Sequence, residues 1–442
     1  MWNICGKRPL KAAPALFLSI AALLGFGCGN SEKTELSAKK CGELPALEYS
    51  RNLKIGTTCG QSVAEIRSIV GSDTLVRRFI LKKRTTEGTG TTEKAESITP
   101  ELSDAVTLYI PLQRVIALSS AQIGYMTRLG VQDRIVGVGE GRYIVDSTVY
   151  AGVTSGKVAE VGNGGTIDLE KMIALKPDLA MTFATGGAHD DYERINALGL
   201  PLMLTSEWQE ESPLAKAEWL KLYGALFGVE TLADSIFEQS KNAYMQSVDG
   251  GVAGGQHLEQ SSLVRMATRV GVSPARGGSE QQRASEGDSS PTQPCPRVLV
   301  GMSYGGVWYA PGGNSFTAKL IKDAGGCYLW ESDTSRELKF TLEEIMTIAD
   351  SADVWVNPGM FSTPDEILTA EPRVKFIRAF NEKRVCQNDG RKGPGGGNDF
   401  YESAVAYPAE LLQNLRRCLQ NATNGADSSR KEFDWYRNIF IF

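Results

Sequence analysis

Histidine chemistry in this chain of 442 residues is limited to His189 and His257. A site that holds zinc or manganese through several histidines needs more ligands of this kind than two. A Ser–His–Asp hydrolase would have to use His189, because His257 lies in a stretch of low complexity. The two histidines therefore argue against a Ser–His–Asp enzyme and against a metal site built from several histidines. We expect a protein that is not an enzyme and holds no resident metal or other cofactor.

Glycine-rich stretches and net charge argue against two further classes of function. Gly137, Gly139 and Gly141 form one such stretch and residues 393–397 form another, but neither has the spacing and following helix of a nucleotide-binding motif. The net charge of −5 gives no basic footprint for nucleic acid. We therefore expect neither a nucleotide cofactor nor a nucleic-acid partner.

The elements that would position functional residues alternate between strand and helix in two stretches of the chain. Short apolar strands and capped helices follow one another over residues 111–229 and again over 297–442. Such alternation is typical of parallel sheets covered by helices on both faces. We predict an α/β fold with two Rossmann-like lobes, because 442 residues exceed what one hydrophobic core usually supports.

One long helix is predicted between the lobes, over residues 230–248. Its apolar residues recur at steps of three and four and are Leu232, Ile236, Phe237, Tyr244 and Met245. Beyond this helix, residues 249–296 are rich in Gly, Ser, Gln and Arg, and we predict a flexible insertion there.

The N-terminus indicates export. A basic start, an apolar run over residues 12–26 and Gly27 describe a signal peptide of residues 1–27. Cys28 directly after it resembles the lipidated cysteine of a bacterial lipoprotein, although Leu24 lies one position further away than such signals usually place it. An ordinary cleaved signal is the alternative. Either signal sends the protein to the periplasmic side of the cell envelope, with a lipid anchor in the membrane in the first case.

Residues 28–110 are predicted to form a linker and a small strand-rich extension. Its predicted elements are strands at 49–55, 74–82 and 106–110 and a short helix at 63–70. The eight cysteines of the chain are scattered, without the close pairs of a zinc site. Cys41 and Cys59 are the nearest candidates for a structural disulfide in an oxidising compartment.

The order and spacing of several motifs resemble one protein family. The motifs are Arg114-Val-Ile-Ala-Leu118, Asp133-Arg-Ile-Val-Gly137, Leu169-Glu170 followed by Ala174-Leu-Lys-Pro-Asp-Leu179, Trp308-Tyr-Ala-Pro-Gly-Gly313, and Asn398-Asp-Phe-Tyr-Glu402. From residue 111 to 419 they resemble the periplasmic substrate-binding proteins of ABC importers whose lobes are bridged by one long helix. The resemblance implies a monomer that binds an iron–siderophore, haem or cobalamin-type ligand between its lobes and delivers it to an ABC permease.

The resemblance also implies which residues contact the ligand. Family members commonly line the cleft with side chains on loops after strands, and the matching residues are Phe183, Trp308, Tyr309, Phe400, Tyr401 and Glu402. For each aromatic ring, a place in the core or at the rim is the alternative. Further polar contacts are expected from Ser119, Ser120, Arg142 and Tyr143. Helix capping is the alternative for the two serines, and a solvated loop charge is the alternative for Arg142.

Permease docking and haem ligation are further properties of this family. Its members usually dock through one exposed acidic residue in each lobe, and Asp190 or Asp191 matches in the first lobe. In the second lobe the matching position falls near Asn314, which is not acidic, so paired docking is in doubt. His189 as an axial ligand to haem iron is an alternative to its place at a helix start.

Two other classes of protein remain as alternatives. A non-transport surface lipoprotein that uses the same fold for ligand capture or assembly would account for the N-terminal extension and the unusual second lobe. An exported hydrolase is the other alternative, and it would depend on His189.

Overall fold

The computed structural model describes residues 41–84, 100–163, 166–187, 190–250, 295–424 and 434–441. The predicted signal peptide, Cys28, both histidines and almost all of the predicted insertion lie outside these residues. Within the described ranges, none of the helices is both long and apolar enough to cross a membrane.

A four-stranded sheet opens the described chain. Its strands, in the spatial order β1-β2-β3-β4, are β1 (Leu53–Thr58), β2 (Gln61–Val70), β3 (Asp73–Lys83) and β4 (Val106–Ile110). The predicted helix at 63–70 is wrong, because this segment is part of β2. Ala64, Ile66 and Ser68 are buried while Arg67 is exposed, which is the period of two of a strand paired on both sides. The predicted disulfide between Cys41 and Cys59 is confirmed.

The first lobe contains a five-stranded sheet in the order β11-β10-β5-β6-β7, with every neighbouring pair parallel. The strands of the lobe are β5 (Val115–Ala117), β6 (Ile135–Val138), β7 (Ala159–Glu160), a small hairpin of β8 (Gly162–Asn163) and β9 (Thr166–Ile167), β10 (Leu179–Thr182) and β11 (Leu202–Leu204). Its helices are α1 (Ser120–Arg128), α2 (Ser147–Thr154), α3 (Leu169–Ala174), α4 (Tyr192–Asn196), α5 (Pro213–Glu218) and α6 (Leu220–Phe227).

Residues 213–227 form two helices rather than one, because the helical pattern is interrupted at Trp219. The Tyr125 hydroxyl donates to the Lys216 carbonyl at 2.7 Å, and the Trp219 N–H bonds to the same carbonyl at 3.2 Å. The chain therefore makes a tighter three-residue turn there, and α5 and α6 are separate helices.

Helix α7 (Glu230–Gly250) follows directly and extends two residues beyond its predicted end. Its buried residues recur at steps of four, three and four and are Ala233, Phe237, Ser240 and Tyr244. Ala233 packs against Gly224 of α6, and the Tyr244 hydroxyl donates to Asp323 of the second lobe at 2.5 Å. The helix is therefore attached to both lobes.

The second lobe contains a five-stranded sheet in the order β15-β12-β17-β18-β19, parallel except for β19, and an antiparallel sheet β13-β14-β16. The strands are β12 (Arg297–Val300), β13 (Met302–Tyr304), β14 (Val307–Pro311), β15 (Cys327–Tyr328), β16 (Glu337–Thr341), β17 (Val354–Val356), β18 (Val385–Gln387) and β19 (Arg437–Asn438). The helices are α8 (Phe316–Asp323), α9 (Leu342–Ile348), α10 (Pro364–Ala370), α11 (Arg378–Asn381) and α12 (Pro408–Asn424).

Disulfides Cys295–Cys327 and Cys386–Cys418 join elements of this lobe.

The two lobes each contain a mainly parallel sheet with helices. The predicted α/β fold class with parallel sheets is therefore confirmed.

Candidate functional site

A cavity of about 850 Å³ lies between the two lobes. We call it the cleft. Its walls begin where parallel strands end: Phe183 follows β10, Asn357 follows β17 and Asn388 follows β18. This edge of an α/β sheet is where such folds usually bind ligands, because the loops there are free to vary while the strands hold them in place.

Large apolar side chains face the cleft from both lobes. Phe183 and Trp208 belong to the first lobe, and Tyr304, Met360 and Tyr401 belong to the second. Each of the five is more than 40% exposed, whereas the aromatic residues of the cores are almost fully buried. Exposed apolar side chains gathered in one concave surface are typical of a binding site.

Two residues with ionisable side chains, Glu207 and Lys216, lie among the first-lobe residues that line the cleft. Glu207 opens a short turn after β11 and is 1% exposed. Burial raises the pKa of the Glu207 carboxyl. The Lys216 ammonium lies 3.9 Å from the centre of the Phe316 ring, and burial lowers the pKa of this amine to about 8.

The cleft contains five of the ten residues that the family resemblance implied. They are Ser119, Ser120, Phe183, Phe400 and Tyr401. Ser119 is the N-cap residue of α1, and Ser120 Oγ donates to the Tyr401 carbonyl of the second lobe at 3.3 Å. Whether these residues touch a ligand stays a prediction.

Trp308 and Tyr309 do not line the cleft. The sequence suggested a loop at these positions, but both lie in β14, where successive side chains point to opposite faces. Trp308 is fully buried, stacks on Trp355 at 5.5 Å and donates its indole N–H to the Val300 carbonyl. The prediction that Trp308 contacts ligand is therefore wrong. Tyr309 points outward beside Lys339.

Arg142 and Tyr143 also lie outside the cleft lining. The Arg142 guanidinium stands over the Tyr143 ring and pairs with Glu140 at 2.8 Å. The alternative, a loop charge, describes Arg142 better. The main chain of this loop instead packs against the glycine-rich segment 393–397, where a Cβ at Gly397 would lie 2.2 Å from the Tyr143 carbonyl oxygen.

Glu402 joins the lobes rather than facing a ligand. Its carboxylate is buried and accepts the main-chain N–H groups of Val145 at 2.8 Å and Asp146 at 2.6 Å, both in the first lobe. Beside it, a Cβ at Gly124 of α1 would lie 1.9 Å from the Glu402 carbonyl oxygen. The prediction that Glu402 binds ligand is therefore wrong, because both carboxylate oxygens already hold the other lobe.

The Glu402 contact predicts a pH dependence of stability. Burial raises the pKa of its carboxyl to about 7, from an ordinary value of 4.5. Between these pH values the folded protein binds a proton that the unfolded chain does not, so stability falls as pH rises from 4.5 to 7, by about 3 kcal/mol. Urea unfolding at pH 5 and pH 7.5 should show this loss in the wild type. Glu402→Gln should lose less stability over the same interval, and an equal loss in both proteins would contradict the assignment.

The two acidic candidates for permease docking are engaged within the first lobe. Asp190 accepts the Thr185 N–H at 2.7 Å, and Asp191 pairs with Arg194. Asn314 of the second lobe is exposed and lines the cleft. Docking through Asp190 or Asp191 stays a prediction.

The segment Gly301-Met-Ser-Tyr-Gly305 matches the Gly-x-Ser-x-Gly pattern of hydrolases. In such enzymes the serine stands on a sharp turn from strand to helix. Here Ser303 lies within β13, buried and paired with Trp308 of β14.

Within the described ranges, no three His, Cys, Asp or Glu side chains could together hold a metal ion.

Several residues that line the cleft were not among those expected from the sequence. Trp208, Tyr304, Met360, Glu207 and Lys216 all line it. A signal was available for Tyr304, because Gly305 and Gly306 between two short apolar runs are typical of a two-residue hairpin turn. Both glycines have positive φ, and the turn places Tyr304 at the end of β13.

The first lobe and most of helix α7 are similar to a known protein family. The model of the periplasmic binding protein family matches residues 115–247. An uncharacterized lipoprotein of Methanocaldococcus jannaschii is 22% identical over 323 residues, which is 70% of this chain and 66% of that protein. The vitamin B12-binding protein of Vibrio parahaemolyticus is 30% identical over 115 residues, or 26% of this chain and 38% of that protein. The match thus spans less than two thirds of the length of either relative.

A solved structure is also similar to this chain. It is an ABC-type Fe³⁺-hydroxamate transport system from Saccharomonospora viridis, with 18% identity, a TM-score of 0.47 and coverage of 72% of this chain and 94% of that one. Residues 115–247 are thus similar to the periplasmic binding protein family, a family of binding proteins, in agreement with the resemblance seen in the sequence.

Proposed function

We propose that this protein is the substrate-binding component of an ABC uptake system. In this proposal it captures an iron–siderophore, haem or cobalamin-type ligand in the cleft and delivers it to a permease. The observation that carries the proposal is the set of exposed apolar side chains that face the cleft from both lobes. The family match and the vitamin B12-binding relative support the same class of ligand.

The dimensions and chemistry of the cleft suit a large, partly flat ligand. A cavity of about 850 Å³ lies at the upper end of ordinary small-molecule sites. Phe183 and Trp208 on one lobe and Tyr304 and Tyr401 on the other can offer ring faces or edges to such a ligand from two sides. Rigid rings provide this contact area with little conformational entropy to lose on binding.

The contacts between the lobes favour small movements around the ligand. Helix α7 packs on both lobes, and the Glu402 carboxylate fastens the second lobe to Val145 and Asp146. Wide opening would break these contacts and expose a buried carboxylate. We therefore expect the lobes to adjust by a small rotation rather than by wide hinge closure.

Delivery and anchoring complete the proposal. Cys28 would carry the lipid that holds the protein at the membrane, as the lipoprotein relative suggests. Asp190 or Asp191 would contact the permease from the first lobe. Replacing Cys28 by Ala should release the expressed protein from the membrane fraction, and a variant that stays there would contradict lipid anchoring.

The ligand class is tested by titration. Purified protein without residues 1–27 would be mixed with haemin, cyanocobalamin and ferric siderophores while absorbance and melting temperature are followed. We expect saturable binding and a raised melting temperature with at least one of them. If none of the compounds binds, the proposed ligand class is wrong.

Replacing Trp208 by Ala should weaken binding of the compound identified in this way. Removal of one stacked ring from the wall is expected to cost about 1–3 kcal/mol, or roughly five- to 150-fold in Kd. The matched control is Tyr143→Ala, which removes a similarly exposed ring outside the cleft. An unchanged Kd in the Trp208 variant would show that this ring does not contact the ligand.

A further inference from the structure

We propose that Glu207 and Lys216 form a polar subsite in the cleft that binds a neutral ligand group carrying both a hydrogen-bond donor and an acceptor. A primary carboxamide is the group that matches it best. This inference rests on the proposed function, because it places part of the ligand in the same cleft.

Glu207 supplies an acceptor that the protein leaves unused. Its carboxyl is almost fully buried, and Oε2 has no hydrogen-bond partner among the described residues. Buried polar atoms are normally paired, since leaving one unpaired costs about 1–3 kcal/mol. The neighbouring Glu210 shows the contrast, because its carboxylate accepts hydrogen bonds from Asn52 and Trp219. A ligand donor would satisfy Glu207 Oε2, which has no protein donor among the described residues.

Lys216 supplies the complementary donor. Lys216 lines the same cavity and is half-buried. Its ammonium lies over the face of the Phe316 ring. An aromatic face attracts the charge of the ammonium but does not replace all of its hydrogen bonds. Glu207 and Lys216 both line the first-lobe wall of this cavity, and Glu207 opens the turn that precedes α5, the helix that carries Lys216. One small ligand group at this wall can therefore meet both side chains.

The charges of the cleft select against an ionic ligand group at this subsite. A carboxylate would be attracted by Lys216 and repelled by Glu207, and an ammonium would experience the reverse. The charged residues that line the whole cavity are Glu207, Glu210, Glu211, Lys216 and Arg336, with three acidic members against two basic ones. This lining lacks the excess of positive charge expected for a strongly anionic chelate.

A primary carboxamide satisfies both side chains without adding charge. Its N–H₂ group can donate to Glu207 Oε2 while its carbonyl oxygen accepts from Lys216 Nζ. Hydrogen bonds to charged partners are the stronger kind, and a ligand that lacks the group would leave both partners unpaired. The subsite would therefore favour amide-bearing ligands over carboxylate-bearing ligands of the same size.

The test uses the mature chain, two variants and four probes. Glu207→Gln removes the anionic acceptor, and Lys216→Met removes the cation while keeping most of the length of the side chain. The probes are cyanocobalamin, which bears primary carboxamides, its monocarboxylic acid derivatives, ferrioxamine B, which bears secondary amides, and haemin, which bears carboxylates only. Control variants are Glu337→Gln and Lys339→Met, an exposed acid–amine pair at 3.1 Å outside the cleft.

We expect cyanocobalamin to bind the wild type, and each cleft variant to raise its Kd by about ten- to 100-fold while the controls leave it unchanged. On the wild type, at least one monocarboxylic acid derivative should bind ten-fold or more weakly than cyanocobalamin itself, and this measurement does not depend on the folding of any variant. If both variants instead raise the Kd of ferrioxamine B, the neutral donor–acceptor subsite is supported, but it recognises a secondary amide.

Other results would overturn the subsite. If a probe binds the wild type and both cleft variants equally well, the subsite is wrong while the proposed function stands. Another such result is that haemin binds, with a Kd that rises in Lys216→Met and falls in Glu207→Gln. In that case the subsite recognises a carboxylate instead. If no probe binds the wild type, both the proposed function and the subsite are wrong.

Discussion

Replacing Glu218 by Ala is expected to lower the free energy of unfolding by about 3–5 kcal/mol. The carboxylate of Glu218 is fully buried in α5 and accepts three consecutive main-chain N–H groups, of Glu48 at 3.1 Å, Tyr49 at 2.8 Å and Ser50 at 2.9 Å. The variant would leave all three donors without this acceptor. It would also remove the partner of the Lys221 ammonium. Urea unfolding followed by circular dichroism measures the change.

The expected loss is large because the segment held by Glu218 connects several parts of the molecule. Tyr49 packs edge-on against Phe237 of α7, and Glu48 pairs with Lys241 of the same helix at 3.0 Å. The matched control is Glu211→Ala, which removes an acidic side chain just before α5 whose partner, Arg51, is exposed. A surface pair of this kind contributes about 0–1 kcal/mol. If the Glu218 and Glu211 variants unfold at the same urea concentration, the buried carboxylate does not hold the N-terminal segment.

The parts of the fold that depend on local patterns could be predicted from the sequence. The helix predicted over 230–248 extends to Gly250 in the structure, and its apolar residues recur at helical spacing from Leu232 to Met245. The alternation of strands and helices likewise gave the α/β class. The family resemblance indicated Phe183 and Phe400, and both line the cleft.

Contacts between distant parts of the chain could not be predicted in this way. Glu210 and Glu218 read as ordinary polar positions of a loop and a helix, yet they bind residues about 160 to 170 positions earlier in the chain. Glu207 and Trp208 lie in a turn too short to carry a periodic pattern. Local sequence therefore indicated neither the buried carboxylates nor the ring that faces the cleft.

Replacing Trp308 by Ala is expected to lower the free energy of unfolding by about 3–5 kcal/mol. Its ring is fully enclosed in the core of the second lobe, where it stacks on Trp355, and its N–H satisfies the Val300 carbonyl at 3.0 Å. The variant would leave a cavity of indole size and an unpaired carbonyl. Urea unfolding at pH 7.5 measures the loss.

The neighbouring residue provides the control that separates a core role from a ligand contact. Tyr309→Ala shortens the adjacent side chain of the same strand, on its outward face, and should change the free energy of unfolding by less than about 1 kcal/mol. Binding by Trp308→Ala is then measured below the temperature at which it begins to unfold, where we expect a Kd close to that of the wild type. A variant that keeps its stability but loses binding would show that the Trp308 ring faces the ligand, because a ring enclosed in the core cannot be removed without loss of stability.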